Sequence, residues 1–454
     1  MSFPVASVRV LASPAAFHAA LLEGVQASTR QVSLASLYMG GGDLEATLVQ
    51  GLAQRLREVP GLGFQACFDH GRGLRRVRHG GGWTSTADVV RPAVAAAGDA
   101  ARVGFFRMPQ QAAWWAAWLP PRVVEGVGVQ HSKVYVFDDT VIVSGANLSE
   151  EYFTSRQDRY VVFEGAPDLA RALHGYVGAL CDHSVCLVPT GSGDEAPVLG
   201  VAPGGGCSVT PPRFPTGSFA AAARDSLLPA CVPVATAVRE PAARVTPLLQ
   251  YAVGGVREDE EFTARLLAGV SSGDRLALAT GYFNLPRRFV ELVLAARCAS
   301  LRILTAAPSA NGFHSASGPS AGIPMGYSEL EREFCAQAAA CGSPSQVLEF
   351  GVPGQTFHAK GLWYEAASGE MVVAVGSPNF GRRSVERDLE LQFVVQDPVP
   401  GVAAAFAAER DRLFQAGDAV TPALWQQPDR CLSGWSFKSG LWIAVARRLL
   451  APFL

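Results

Sequence analysis

The chain has 454 residues, of which 49% are hydrophobic and 17% charged, with a formal net charge of -2. That length holds two domain-sized units or one large pseudo-symmetric one. The near-neutral balance gives no long-range pull on nucleic acid, and no aromatic-studded basic tract is present, so a DNA or RNA partner is disfavoured.

Residues 5–11 form a strand candidate, and Pro14 opens a helix toward Ala27. Val32 to Tyr38 reads as a buried strand ended by Gly40-Gly41-Gly42, with a helix from Asp43 to about Arg57. Asp69 to His79 is a basic stretch, read either as a solvated loop or as a clamp for a polar substrate. Arg102 to Met108 is a strand candidate; Trp114, Trp115 and Trp118 are read as packing between a helix and the sheet, with a membrane-facing patch as the alternative. A strand at 159–163 and a helix at 168–183 complete the first half.

Pro189 to about Pro215 is rich in Pro, Gly and Ser and reads as a connector. The second half repeats the first in outline: helix Glu258–Gly269, strand Arg275–Thr280, helix Arg287–Ala299, strand Leu301–Thr305, a Gly/Ser/Ala/Pro-rich loop at 306–326, strand 389–395 and helix 401–415. The expected division is 1–200, a connector at 201–244, 245–434, and an amphipathic segment at 435–454 that contacts a membrane. Nine irregularly spaced cysteines suggest neither a disulfide framework nor a zinc site. No signal peptide is read at the start, and no apolar run nears the roughly 18 residues of a membrane span.

The two halves share a constellation. His131-Ser132-Lys133 leads through Val141-Ile142-Val143 to Gly145 and Asn147; His358-Ala359-Lys360 leads through Met371 to Val375, then Gly376-Ser377-Pro378-Asn379. An acid follows each Asn by eleven residues, Asp158 and Glu390. The chain has only three lysines, Lys133, Lys360 and Lys438, and two of them sit two residues after a histidine. Each His-x-Lys is expected on a strand, so that both side chains share a face. Two imidazoles, two ammoniums and two amides make a phosphate site: one imidazole attacks phosphorus, the other handles protons, and Lys and Asn stabilise the non-bridging oxygens. Asp158 and Glu390 would hold the imidazoles through their other nitrogens. This chemistry needs no metal.

The constellation resembles the phospholipase D superfamily, whose members carry two His-x-Lys-x4-Asp motifs. The first motif matches with Asp138; the second has Glu365 at that place, and Asp138 and Glu365 are secondary candidates with Ser377, Asp138-Asp139 reading equally as a turn and Glu365 as a surface turn residue. The strings Val134 to Ser149 with Tyr152-Phe153, Thr356 to Trp363, Gly376 to Gly381 and Arg383 to Glu390 are similar to the eukaryotic-type phosphatidylglycerophosphate synthases. Weaker likenesses surround Tyr38 and Tyr282. The resemblance implies an α/β fold of two pseudo-symmetric halves, each a mostly buried mixed sheet flanked by helices. It implies CDP-diacylglycerol as phosphatidyl donor, glycerol 3-phosphate as acceptor, a phosphohistidine on His131, and proton transfer by His358. Tyr38, Arg72, Arg75, Tyr282, Arg382 and Arg383 become substrate-binding candidates. Mg²⁺ is left as an option for holding the pyrophosphate. A peripheral position on the matrix side of the mitochondrial inner membrane is implied, and monomer or homo-oligomer is left open. A cardiolipin synthase, phosphatidylserine synthase or phospholipase of the same superfamily shares this chemistry; a nuclease is the remoter alternative.

Overall fold

The computed structural model describes residues 2–114, 118, 124–188, 198–200, 216–228, 238, 240–314, 323–427 and 430. The proposed membrane segment at 435–454 lies outside the described residues, as do parts of the 201–244 connector. Two large mixed sheets carry the fold. In the first, Gln31–Ser36, Gly63–Asp69 and Ala101–Phe106 run parallel. Val134–Phe137, Thr140–Ser144, Tyr160–Glu164 and Ser7–Leu11 continue it antiparallel. The second repeats the order: Arg275–Ala279, Ser300–Ala306 and Ser345–Phe350 are parallel. Gly361–Glu365, Met371–Gly376, Glu390–Gln396 and Ala243–Tyr251 follow antiparallel.

Strands buried on both faces need apolar residues at nearly every position, which explains the unbroken Val/Ile runs before each Asn. Alternate residues serve different cores. Val134, Val136, Val141 and Val143 share one core with Trp363, Val373, Val375 and Leu391 of the other half. Tyr135, Phe137 and Ile142 turn the other way, joining Phe17, Leu21, Leu48 and Leu52 of helices Pro14–Ala27 and Asp43–Glu58. The halves are therefore fused through their sheets. A buried ion pair crosses the same junction: Arg159 meets Glu409 through two hydrogen bonds of 3.0 and 2.8 Å. Its guanidinium also donates to the Ala374 carbonyl and lies 3.7 Å over the Trp363 ring.

The structure departs from the sequence reading at several points. The segment read as one strand at 5–11 is two, and Phe3–Val5 pairs with Ala243–Val245, so the chain's first strand extends the second half's sheet. The basic stretch is a short helix, His70–Leu74, with the Asp69 side chain accepting from Arg72 N, followed by the hairpin Val77–His79/Gly82–Thr84. Helix Thr86–Ala97 was hidden by Pro92, although Ser85 and Asp88 form a capping box. Helix Ile323–Cys341 begins inside the predicted loop. Trp114 and Trp118 are 81% and 83% exposed, so their expected packing against the sheet does not form. Among the described residues no helix is long and apolar enough to cross a membrane.

Candidate active site

Each histidine stands on the other half of the molecule. His131 N donates to Leu389 O, and His358 N donates to Gln157 O, both at 2.8 Å. The partner residue is in each case the one before the opposite half's acid. His131 Nδ1 consequently lies 2.9 Å from Glu390, and His358 Nδ1 lies 2.6 Å from Asp158. The sequence spacing puts each acid after its own half's Asn; the fold hands it across. The His-x-Lys segments lie just ahead of the regular strands Val134–Phe137 and Gly361–Glu365, not within them as expected, because the histidine backbones bond the partner half instead.

Both histidines line one cleft of about 410 Å³ with Tyr38, Arg72, Asn147, Tyr152, Arg156, Tyr282, Asn379 and Arg383. Beneath it, Lys133, Lys360, Asp158 and Glu390 are almost wholly buried. Lys133 Nζ donates to His131 O at 2.7 Å, and Lys360 Nζ is 3.3 Å from Asp158. Burial drives the Lys133 ammonium down to about 7, with Glu390 opposing, and lowers Lys360 against the pull of Asp158. Burial raises Glu390 to about 6 and raises Asp158. Burial and the adjacent ammoniums hold both imidazoles well below their usual range, so the resting rings are neutral.

Two glycines of the motifs are explained by close approach. A Cβ on Gly145 would come within 2.6 Å of Lys360 Cδ and 2.7 Å of its Nζ. Gly361, at φ +147°, leaves the room through which the Arg159 guanidinium passes.

The pseudo-symmetry breaks where substrates would lie. Five residues after the Asn stands Tyr152 in one half and Ser384 in the other; nine residues after stands Arg156 or Asp388. Tyr152 Oη is 3.2 Å from His358 Nε2 and accepts from Asn147 Nδ2 at 3.2 Å. Burial keeps that phenol protonated. Arg156 lies 4.8 Å over the Tyr152 ring and lowers the pKa of His358. Asp388 instead faces His131, favouring its charged form, while held 2.9 Å from Arg383. Among the described residues none hydrogen-bonds His131 Nε2. His131, Asp388 and Glu390 bring one ligand atom each within 4.8 Å of one another, close enough to hold a metal ion. The sequence reading gives Tyr152, Arg156 and Asp388 no role in the site; their equal offsets from the two Asn residues are the available signal.

Tyr38, Arg72, Tyr282 and Arg383 reach the cleft. Arg75 turns to Glu125 at 2.5 Å, and Arg382 pairs with Glu386 on the exterior. Asp138 and Glu365 are drawn away from the site. Asp138, at φ +51°, accepts from the backbone N–H of Thr29, Arg30 and Gln31, tying down the start of a central strand. Glu365 pairs with Arg410. Ser377 bonds the Leu391 backbone beside Glu390.

No family model matches the chain. It is 34% identical over 457 residues to a mouse protein, "CDP-diacylglycerol--glycerol-3-phosphate 3-phosphatidyltransferase, mitochondrial", covering 94% of this chain and 81% of the mouse one. The human protein of the same name is equally similar, and one from Saccharomyces cerevisiae, without the word mitochondrial, is 26% identical over 442 residues, 92% of this chain and 84% of the yeast one. The crystal structure of phosphatidylserine synthase from Haemophilus influenzae Rd KW20 superposes with a TM-score of 0.74 over 100% of this chain and 96% of that one; at 19% identity it shares the fold. With this identity and coverage, the chain belongs to the CDP-diacylglycerol–glycerol-3-phosphate 3-phosphatidyltransferase family.

Proposed function

We propose that this cleft transfers the phosphatidyl group of CDP-diacylglycerol to sn-glycerol 3-phosphate, releasing CMP, in two displacements through a phosphohistidine on His131. In the first, His131 Nε2 forms a bond to phosphorus as the P–O bond to CMP breaks, and CMP leaves with the electron pair. In the second, a primary hydroxyl of the acceptor attacks phosphorus, its proton passes to His358 Nε2, and the P–N bond returns its electrons to His131. The product is phosphatidylglycerophosphate. Lys133, Lys360, Asn147 and Asn379 stabilise the non-bridging oxygens.

The observation that carries the division of labour is the unequal setting of the two rings. Attack by a neutral imidazole makes a cationic ring, and Glu390 and Asp388 lie beside His131 to stabilise it. Arg156 beside His358 favours the neutral form that a base requires, and Tyr152 covers its lone pair until the acceptor arrives. The arginines Arg72, Arg156 and Arg383 suit the phosphates of donor and acceptor. Glu390 is committed to His131 and Asp388 to Arg383, so the acid cluster serves the imidazole. Mg²⁺, a cation that prefers oxygen ligands, would accompany the pyrophosphate of the donor. The mitochondrial relatives support a mitochondrial setting, which we refine to a peripheral place on the matrix side of the inner membrane.

The test is turnover of CDP-diacylglycerol with glycerol 3-phosphate, serine, phosphatidylglycerol and water competing as acceptors. Phosphatidylglycerophosphate is the expected product; predominance of any other acceptor overturns the assignment.

A further inference from the structure

Two stretches of the first half expose large apolar side chains. One is the hairpin Val77–His79/Gly82–Thr84, which begins two residues after Arg75. The other holds Trp114 and Trp118 and leads to Glu125. Trp83 is 63% exposed, and Val77 is exposed as well. Arg75, just before the hairpin, and Glu125, just after the tryptophans' stretch, form an ion pair at 2.5 Å, and Glu125 lines the cleft. Charge along both is one-sided. No Asp or Glu occurs between His70 and Ala87 or between Ala100 and Val124, whereas Arg76, Arg78 and His79 are exposed on the hairpin.

Exposed tryptophan beside arginine fits a boundary that is apolar on one side and anionic on the other. A water-facing surface gives three tryptophans no such compensation. We infer that this rim is the surface by which the protein rests on an anionic bilayer, with Trp83, Trp114 and Trp118 among the headgroups and Arg76 and Arg78 against lipid phosphates. The choice of a membrane over a protein partner rests on the proposed function: a phosphatidyl donor has its acyl chains in a bilayer, and this rim adjoins the cleft that must receive its phosphorus. Docking there brings the cleft to the membrane, so the donor's headgroup need rise only a short way.

The test uses the full chain and vesicles of phosphatidylcholine with or without phosphatidylglycerol, read by co-sedimentation. The double variant Arg76→Gln/Arg78→Gln is expected to lose about 30-fold in partition onto the anionic vesicles, each arginine contributing about a factor of five. Trp83→Ser/Trp114→Ser is expected to lose about tenfold or more on both vesicle types. Both variants should keep wild-type turnover of a short-chain, water-soluble CDP-diacylglycerol. Wild-type partition by both variants overturns the inference and moves docking to another surface, such as the tail at 435–454. Loss of short-chain turnover in either variant also overturns it, since the rim would then belong to the catalytic machinery. A wild-type protein that binds vesicles through this rim but never turns over the short-chain donor defeats the proposed function and leaves the surface standing.

Discussion

Asp158→Asn separates the two displacements. The carboxylate accepts from His358 Nδ1 at 2.6 Å and from Arg159 N at 2.8 Å, and pairs with Lys360. An amide there can donate through Nδ2 to His358 Nδ1, which puts the ring proton on Nε2, where a base must be empty. The two steps need that base unequally. CMP departs as a phosphate, a group that gives up its second proton near pH 6, so its release asks little of His358. The acceptor is an alcohol and must lose a proton that it holds far above neutral pH. General base catalysis supplies about 10²–10⁴, and a wrong histidine tautomer in a serine protease triad costs about 10⁴. We therefore expect the acceptor step to slow about 10³-fold, about 4 kcal/mol, and CMP release to fall less than about tenfold. Rapid-quench assays should then show a burst of one CMP per site followed by slow turnover, with a labelled phosphatidyl group retained on His131. Glu390→Gln should behave oppositely, with slow CMP release and no burst. A burst from Glu390→Gln, or label on His358, would reverse the roles; equal slowing of both steps in Asp158→Asn would refute the division altogether.

Glu390, raised to about 6, must be ionised to hold His131, and Lys133, lowered to about 7, must be charged to meet phosphate. kcat/KM should accordingly rise through about pH 6 and decline above about pH 7, with the acid limb absent in Glu390→Gln; an unchanged acid limb in that variant assigns it elsewhere. Gly145→Ala places a methyl against the Lys360 side chain and should lower kcat by about 10²-fold or more while circular dichroism stays native, a loss of the size seen when one charge-stabilising group is displaced. Glu409→Gln leaves Arg159 without its carboxylate and should cost about 3 kcal/mol, read from the urea midpoint at constant slope.

The site was more legible than the fold around it, for a reason visible in Lys133 and Lys360. A chain that has almost no lysine elsewhere exposes the places where it keeps one, and local spacing then carries the motif. Local spacing cannot say which acid serves which histidine, because that depends on Gln130 bridging Leu389 and Arg156-Gln157 pairing with Thr356-Phe357 across the halves. Asp138 shows the converse: its motif position suggests chemistry and its Asp-Asp context a turn, and the turn holds, since a carboxylate at positive φ there accepts from three backbone N–H groups. Helix Ile323–Cys341 was obscured by Pro324, a residue that punctuates loops but is equally at home in the first turn of a helix. The exposure of Trp114 and Trp118 matches the alternative reading, and the sequence could not choose it because an aromatic cluster has the same composition whether it is buried or not.

The crossing of histidine and acid also explains why duplication suits this chemistry. A half alone would hold His131 and Lys133 but lack Glu390, and its own Asp158 would face no imidazole. Joined, the halves complete each other's histidine–acid pair and bury both lysines at the seam, where Arg159 and Glu409 fix the alignment. Once both pairs are supplied by one chain, the two sides can diverge. Tyr152 and Arg156 then differ from Ser384 and Asp388 without either half losing its histidine clamp. A two-fold dimer of identical halves would have to put the same groups beside both rings, and so could not make one ring more basic than the other in its resting state. The proposed order of nucleophile and base would then be a property of the fused chain, set by the residues five and nine places after each asparagine.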